Sequence, residues 1–196
     1  MVRPMADRSS DVAITRLALA AGRGDKAAAG EFIRATQRDV WRFLTHLAGP
    51  TDAEDLTQET FVRALRSMNT FSARSHARPW LFSIARRVAV DHVRAAMSRP
   101  RLSAGDDWQD AAERQPAARV AGPDDAVALN QALRTLSPER RDAFVLTQVI
   151  GLPYAEAALA CGCPVGTIRS RVARARRDLV NALDDDRRRV PVARTM

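Results

Sequence analysis

Apolar positions recur three and four residues apart along most of this chain, the spacing that gives a helix one buried face. Residues 11–49 read as two helices broken at Gly22-Arg23-Gly24, and the second carries the stripe Phe32, Thr36, Val40, Phe43, Leu44 and Leu47. Gly49-Pro50 ends it. A third helix starts at Thr51 or Asp52, either of which can cap it, with Glu54 and Asp55 in the first turn where the helix dipole favours acids. Its expected buried face is Leu56, Phe61, Ala64, Leu65 and Met68. Asn69 to Ala77 is a polar loop, and Pro79 suits the first position of a fourth helix with the stripe Leu81, Ile84, Ala85 and Val88.

The periodicity then stops. From residue 98 to 123 the chain is rich in Pro, Gly, Ala, Asp and Arg, which predicts a flexible linker. Beyond it Ala126, Leu129, Leu133 and Leu136 resume the helical spacing, and Ser137-Pro138-Glu139 opens a helix carrying Phe144, Val145, Val149 and Ile150. Gly151-Leu152-Pro153 breaks that helix, and a last one runs from about Pro164 to Leu183. The expected fold class is all-α: a disordered start at 1–10, a helical domain at 11–97, the linker, a second helical domain at 124–185 and a frayed tail at 186–196.

Composition agrees with helices and adds a charge. Ala and Leu dominate the apolar set, aromatics are 5% of the chain, and β-branched runs are rare. A formal net charge of +8 biases the surface toward polyanions. Two cysteines make no disulfide framework and fit a reducing cytoplasm. Val12 to Ala21 faintly resembles a signal peptide, but Arg16 interrupts it and an amphipathic helix accounts for it better. No apolar run approaches the roughly 20 residues that span a bilayer, so no membrane insertion is expected.

The strongest local signal lies in 153–183. Ala158 lets a second helix cross close by, Gly162 frees the backbone at the turn, and Ile168 plugs the space between two helices, the layout of a helix-turn-helix. Ile168, Val172, Ala175, Leu179 and Leu183 form the buried stripe of the second helix, which leaves Arg169, Ser170, Ala173, Arg174 and Arg177 on the opposite face. Arginine there can take guanine or phosphate; an ordinary solvated face is the plainer reading. Two further segments stand out. Residues 52–65, DAEDLTQETFVRAL, are an acidic amphipathic helix suited to docking on another helix, or any capped surface helix. Residues 71–94 set Trp80 and Phe82 beside Arg86, Arg87 and Arg94, which could stack on unpaired bases and hold phosphates, although Trp80 alone reads as a core residue.

In this order the segments DAEDLTQETFVRAL, RPWLFSIARRVAVDHVR and LPYAEAALACGCPVGTIRSRVARAR resemble the extracytoplasmic-function RNA polymerase sigma factors of actinobacterial type over nearly the whole chain. The resemblance implies a promoter-directing factor that is no enzyme and needs no cofactor. By it, 11–97 corresponds to sigma region 2 and 124–185 to region 4. Asp52, Glu54, Asp55, Gln58, Glu59 and Phe61 would dock on the polymerase β′ clamp, with the β flap as a further contact. Phe71, Ser72, Ala73, Arg74, Ser75 and His76, with Trp80 and Arg87 behind them, would read the non-template strand of the minus-ten element, where a base is flipped out. Thr167, Arg169, Ser170, Ala173, Arg174 and Arg177 would read the minus-thirty-five element in the major groove. An anti-sigma protein is the implied restraint, with the free factor monomeric and cytoplasmic and both reading faces exposed. Two positions depart from the pattern: Arg87 stands where many members have Asn, and Ala173 is small where larger apolar residues are common.

Other chemistries find little support. Cys161-Gly-Cys163 lacks partners for zinc, since His46, His76 and His92 are distant in sequence, and no metal site is expected. There is no phosphate loop or nucleophile elbow, and Asp91-His92 are neighbours that point apart on a helix. A helix-turn-helix regulator with a helical sensor and a helical adaptor without DNA function are the remaining readings. A receiver domain would require alternating strands, and an adaptor would show no salt-dependent DNA affinity.

Overall fold

The computed structural model describes residues 8–98 and 130–189, and its helices are built from the stripes just traced. The linker expected at 98–123 lies, apart from Ser98, outside the described residues, as do Ala126 and Leu129. Helix α1 spans Arg8–Gly22, α2 Lys26–Ala48, α3 Pro50–Ser67 and α4 Ala77–Ser98. A 3-10 turn, Met68–Thr70, follows α3. The described part of α5 covers 130–135, α6 covers Pro138–Phe144, α7 Tyr154–Cys161 and α8 Val165–Arg189. Among the described residues there is no strand.

The first unit is α1 to α4. Asp25 caps α2 by accepting a hydrogen bond from the Ala28 N–H at 3.0 Å, a signal passed over in the sequence. Phe32, Thr36, Val40, Phe43 and Leu44 are buried as the stripe requires, while Leu47 is only partly buried against the core. Phe43 meets Phe82 of α4 edge-on, with ring centroids 5.3 Å apart. Gly22 is required by close approach: a Cβ there would lie 2.7 Å from the Met68 carbonyl oxygen.

Several boundaries differ from expectation. Helix α1 already includes residues 8–10. Helix α3 begins at Pro50, with Gly49 as its cap residue and no side-chain capping bond, so neither Thr51 nor Asp52 caps it. Leu65 is 42% exposed; the inward positions are instead Ala53 and Thr60 beside Leu56, Phe61 and Ala64. Pro79 is the third residue of α4, where its missing N–H is still one of the four that no helical carbonyl takes. The buried Thr36, Thr60 and Thr147 hydroxyls each donate to the carbonyl four residues earlier, which makes these polar side chains tolerable inside.

The second unit is α5 to α8. Ser137 occupies the cap position of α6, but its side chain makes no capping bond; its carbonyl takes the Arg140 and Arg141 N–H groups. Val145–Val149 widens into a π turn, closed by Ile150 N–H to Val145 O at 2.9 Å. Helix α8 continues to Arg189, past the expected end at Leu183 and into the span expected to fray.

The units pack against each other chiefly through α4 and α7, and their buried apolar side chains form one continuous cluster. A polar seam borders it. Arg86 Nε lies 2.5 Å from Asp142 Oδ2 and His76 Nδ1 2.8 Å from Glu156 Oε1. His46 Nδ1 is 2.7 Å from Asn130 Oδ1, and Arg141 donates to the Leu47 carbonyl at 3.3 Å.

Candidate nucleic-acid interface

The helix-turn-helix is α7, a turn and α8. Helix α7 ends at Gly162, whose φ of 64° and ψ of 40° are left-handed and suit glycine. Around it the Cys163 N–H reaches back to the Ala158 carbonyl at 3.1 Å, closing the α7 end. Ile168 is fully buried between the helices, with Ala158, Val172, Ala175 and Leu179 also inside. The side chain of Leu183 lies outside the described residues.

The opposite face of α8 is exposed as its spacing requires. Arg169, Ser170, Ala173, Arg174 and Arg177 all face solvent, and Thr167 is half-buried. Ser170 donates its hydroxyl to the Thr167 carbonyl at 3.0 Å, which leaves its oxygen able to accept. The flank of α8 is tied down: Arg176 donates to Gln148 at 2.7 Å, Arg171 to Cys163 Sγ at 3.6 Å, and Asp178 receives Arg140 at 2.6 Å. The guanidinium groups of Arg169, Arg174 and Arg177 have no such partner among the described residues. A fixed helix thus presents three arginines and a hydroxyl, the donor and acceptor set a major groove accepts.

A second candidate surface is the loop 71–76. Phe71 stacks on Trp80 with centroids 5.0 Å apart, so Trp80 is the half-buried backstop of the loop. Ala73 adopts φ 52°, a left-handed conformation that costs a non-glycine residue about 1 kcal/mol. Ser72 and Arg74 are exposed, as is Arg87 on α4. Two of the side chains grouped with these do not belong to the surface: Phe82 is buried, and Arg86 is engaged by the buried Asp142. His76 bonds across the seam to Glu156, so the loop is not wholly free as expected. The N-terminus of α4 is fixed by a further device. Thr15 donates to the Asp11 carbonyl and receives the Ala77 N–H. The buried Arg78 reaches Asp11 at 3.3 Å, Asp39 at 2.9 Å and the Ile150 carbonyl at 3.5 Å.

The acidic helix α3 exposes Glu54, Asp55 and Gln58, with Asp52 and Glu59 half-exposed. Phe61 is 7% exposed and belongs to the core, so it offers no docking surface. Val62 and, on α2, Trp41 are instead exposed apolar side chains that periodicity did not single out, and Leu65, which it placed inside, is exposed with them. Glu59 and Asp91 both hold Arg63 at 2.7 Å, and His92 lies 3.3 Å from Asp52, so Asp91 and His92 point to different partners. Burial pushes the Cys161 thiol up to about 12, helped by the nearby Asp142 carboxylate, which makes it a poor nucleophile. Burial also lowers His46 from its ordinary value, against the hydrogen bond to Asn130 and with help from Arg42. Asp142 is raised by burial, opposed by Arg86.

Comparison with known proteins matches residues 32–99 to the Sigma-70 region 2 family and residues 126–179 to Sigma-70, region 4. The ECF RNA polymerase sigma factor SigC of Mycobacterium tuberculosis is 49% identical over 181 residues, which cover 92% of this chain and 97% of SigC. This chain belongs to the ECF sigma factors. CnrH, solved in complex with the cytosolic domain of CnrY, superposes with a TM-score of 0.69 at 25% identity over 89% of this chain and 99% of that one. RpoE of Bartonella quintana, solved with the anti-sigma factor NepR, gives 0.65 at 29% identity over 79% and 96%. The chain is therefore a non-enzymatic transcription initiation factor that binds RNA polymerase and recognises promoters through two helical domains, the second a helix-turn-helix. No helix among the described residues is long and apolar enough to cross a membrane.

Proposed function

We propose that the two surfaces read the two promoter elements separately. Arg169, Ser170, Ala173, Arg174 and Arg177, with Thr167 at the helix start, read the minus-thirty-five element in the major groove. Phe71 to His76, backed by Trp80 and flanked by Arg87, hold the unpaired non-template strand of the minus-ten element. Asp52, Glu54, Asp55, Gln58 and Glu59 of α3 dock on the β′ clamp of the core, with the exposed Val62 and Leu65 as apolar contacts, and the second unit meets the β flap. The boundaries 11–97 and 124–185 mark the two functional units. The factor works in the cytoplasm as a monomer when free. The observation that carries the reading is the α8 face: three arginines, unpartnered among the described residues, on a helix whose other side is locked into a helix-turn-helix core.

The closed packing of the units has a consequence for this function. Elements about 25 base pairs apart lie about 85 Å from each other along B-form DNA. A compact body of this length has a radius of gyration of only about 16 Å. The units therefore separate when the factor engages a promoter, and the roughly thirty residues between them can span about 100 Å when extended. CnrH and RpoE were both solved with a partner protein, RpoE's being an anti-sigma factor, which supports an anti-sigma partner for this chain.

Run-off transcription tests the reading. Core polymerase with this chain produces transcripts from specific promoters of the source genome, and core alone does not. Absence of transcripts together with absence of core binding overturns it.

A further inference from the structure

Where the two units meet, three potential metal ligands converge from three elements. Asp11 comes from α1, His76 from the loop before α4, and Glu156 from α7. One ligand atom from each lies within 4.8 Å of the others. We propose that this cluster is a site for a divalent transition-metal ion of the zinc or cobalt class, and that the bound ion staples the two units closed. The regulatory consequence rests on the sigma reading above, whereas the site itself does not.

The donor set is one imidazole nitrogen and two carboxylates, which zinc and its neighbours accept. Metal–ligand bonds of about 2.0–2.2 Å place adjacent ligand atoms roughly 3.4 Å apart. The widest separation, up to 4.8 Å, has to close by about 1.4 Å, and the 2.8 Å hydrogen bond between His76 Nδ1 and Glu156 Oε1 has to open by about 0.6 Å as the ion replaces its proton, both within reach of small side-chain rotations. The second Glu156 oxygen, Oε2, is buried without a hydrogen-bond partner. A carboxylate oxygen sealed from water and left unpaired is costly, and a cation removes that cost. Asp11 is 3% exposed and bonds Arg78 through Oδ1, so its other oxygen remains to be used. Arg78 is the competing positive charge, but it is divided between Asp11 and Asp39. His76 is 37% exposed in its side chain, which gives an ion a route in and leaves water room to complete the coordination.

Two ligands belong to the first unit and one to the second, so an ion with full coordination exists only in the closed arrangement. A ligand that binds one of two states favours it by the factor 1 + [L]/Kd. At a hundredfold excess over Kd, the closed form therefore gains about a hundredfold over the open one. The ion would restrain the loop that holds the minus-ten strand, because His76 is part of that loop.

The test uses the untagged full-length chain, stripped with chelator and titrated with CoCl2 and then ZnCl2. One equivalent of Co2+ is expected to bind with visible ligand-field absorption, and Zn2+ displaces it. Glu156→Ala and His76→Ala weaken binding at least tenfold, and Glu156→Gln, which keeps the shape of the side chain, does the same should Glu156→Ala fold poorly. Small-angle scattering should show the Zn2+-loaded chain more compact than the stripped one, a difference Glu156→Gln abolishes. No saturable Co2+ binding overturns the proposal. So does binding that survives all three substitutions, which would assign the ion elsewhere, for example to Cys161 and Cys163. Transcription by the stripped chain reports on the sigma reading independently.

Discussion

The first unit is tied together through a buried arginine and the second through a buried isoleucine. In the first, Arg78 gathers Asp11 and Asp39 at the start of α4, directly behind the loop 71–76. In the second, Ile168 fills the gap between α7 and α8 directly behind the arginine face. Both devices hold still a surface proposed to read DNA, but they fail differently. An ion network left one partner short keeps buried charges unpaired, whereas a lost plug leaves a void that neighbours partly fill. The surfaces differ too: the α8 face is open to solvent, and the loop is half-engaged across the seam by Glu156.

The largest effect is expected from the ionic device. Arg78→Met should cost about 3–5 kcal/mol, because Asp11 stays buried without its guanidinium. Thermal unfolding followed by circular dichroism checks this; a melting temperature within a degree or two of the parent would show that the network is not what holds α4. Ile168→Ala should cost about 2–5 kcal/mol. It should loosen the second unit selectively, read as faster hydrogen exchange in α7 and α8 than in α2. Equal protection changes in both units would mean the shared core, not the plug, governs stability.

Smaller substitutions sharpen the contrast. Gly162→Ala places a Cβ on left-handed backbone and should cost about 1–2 kcal/mol, with nothing nearby for the Cβ to strike. A loss above 3 kcal/mol in denaturant titration would point to a packing role the geometry does not contain. The weakest lever is pH. His46 has a folded pKa below its ordinary value, so its contribution is present above about pH 6.5 and is lost as pH falls through the lowered value. Stability should therefore decline between pH 7.5 and 5.5, and His46→Gln should flatten that part of the profile. An unchanged slope in the variant would remove His46 from the account.

The difference between the units also explains what could be read from the chain. The helix-turn-helix was legible because its determinants are local: Ala158, Gly162 and Ile168 lie within eleven residues, and helical geometry dictates which side chains oppose the plug. The resemblance to sigma factors rested on such runs. Arg78 was illegible as a core residue, since its partners Asp11 and Asp39 are 67 and 39 positions away. Asp142 and Glu156 carry no mark in the sequence, since their partners Arg86 and His76 lie 56 and 80 positions away. Periodicity placed Phe61 on the buried face, where it lies, and only the docking role implied by the resemblance conflicts with that burial, because docking on a partner and packing in a core ask for the same apolar residue. The π turn at Val145–Val149 has no sequence mark: it shifts the helix phase by one residue across the mixed stretch Val145-Leu146-Thr147-Gln148-Val149.

Recognition of the upstream element by α8 through its exposed arginines is open to direct test. Run-off transcription by core polymerase is compared for the parent chain and for Arg169→Ala/Arg174→Ala, on an identified promoter and on the same promoter with its upstream element scrambled. Each well-placed arginine–base contact is worth about 1–3 kcal/mol. The double variant should thus lose at least tenfold on the intact promoter, and little beyond the parent's own loss on the scrambled one. Equal losses on both templates would contradict the claim and reduce these arginines to general phosphate contacts or to a solvated face.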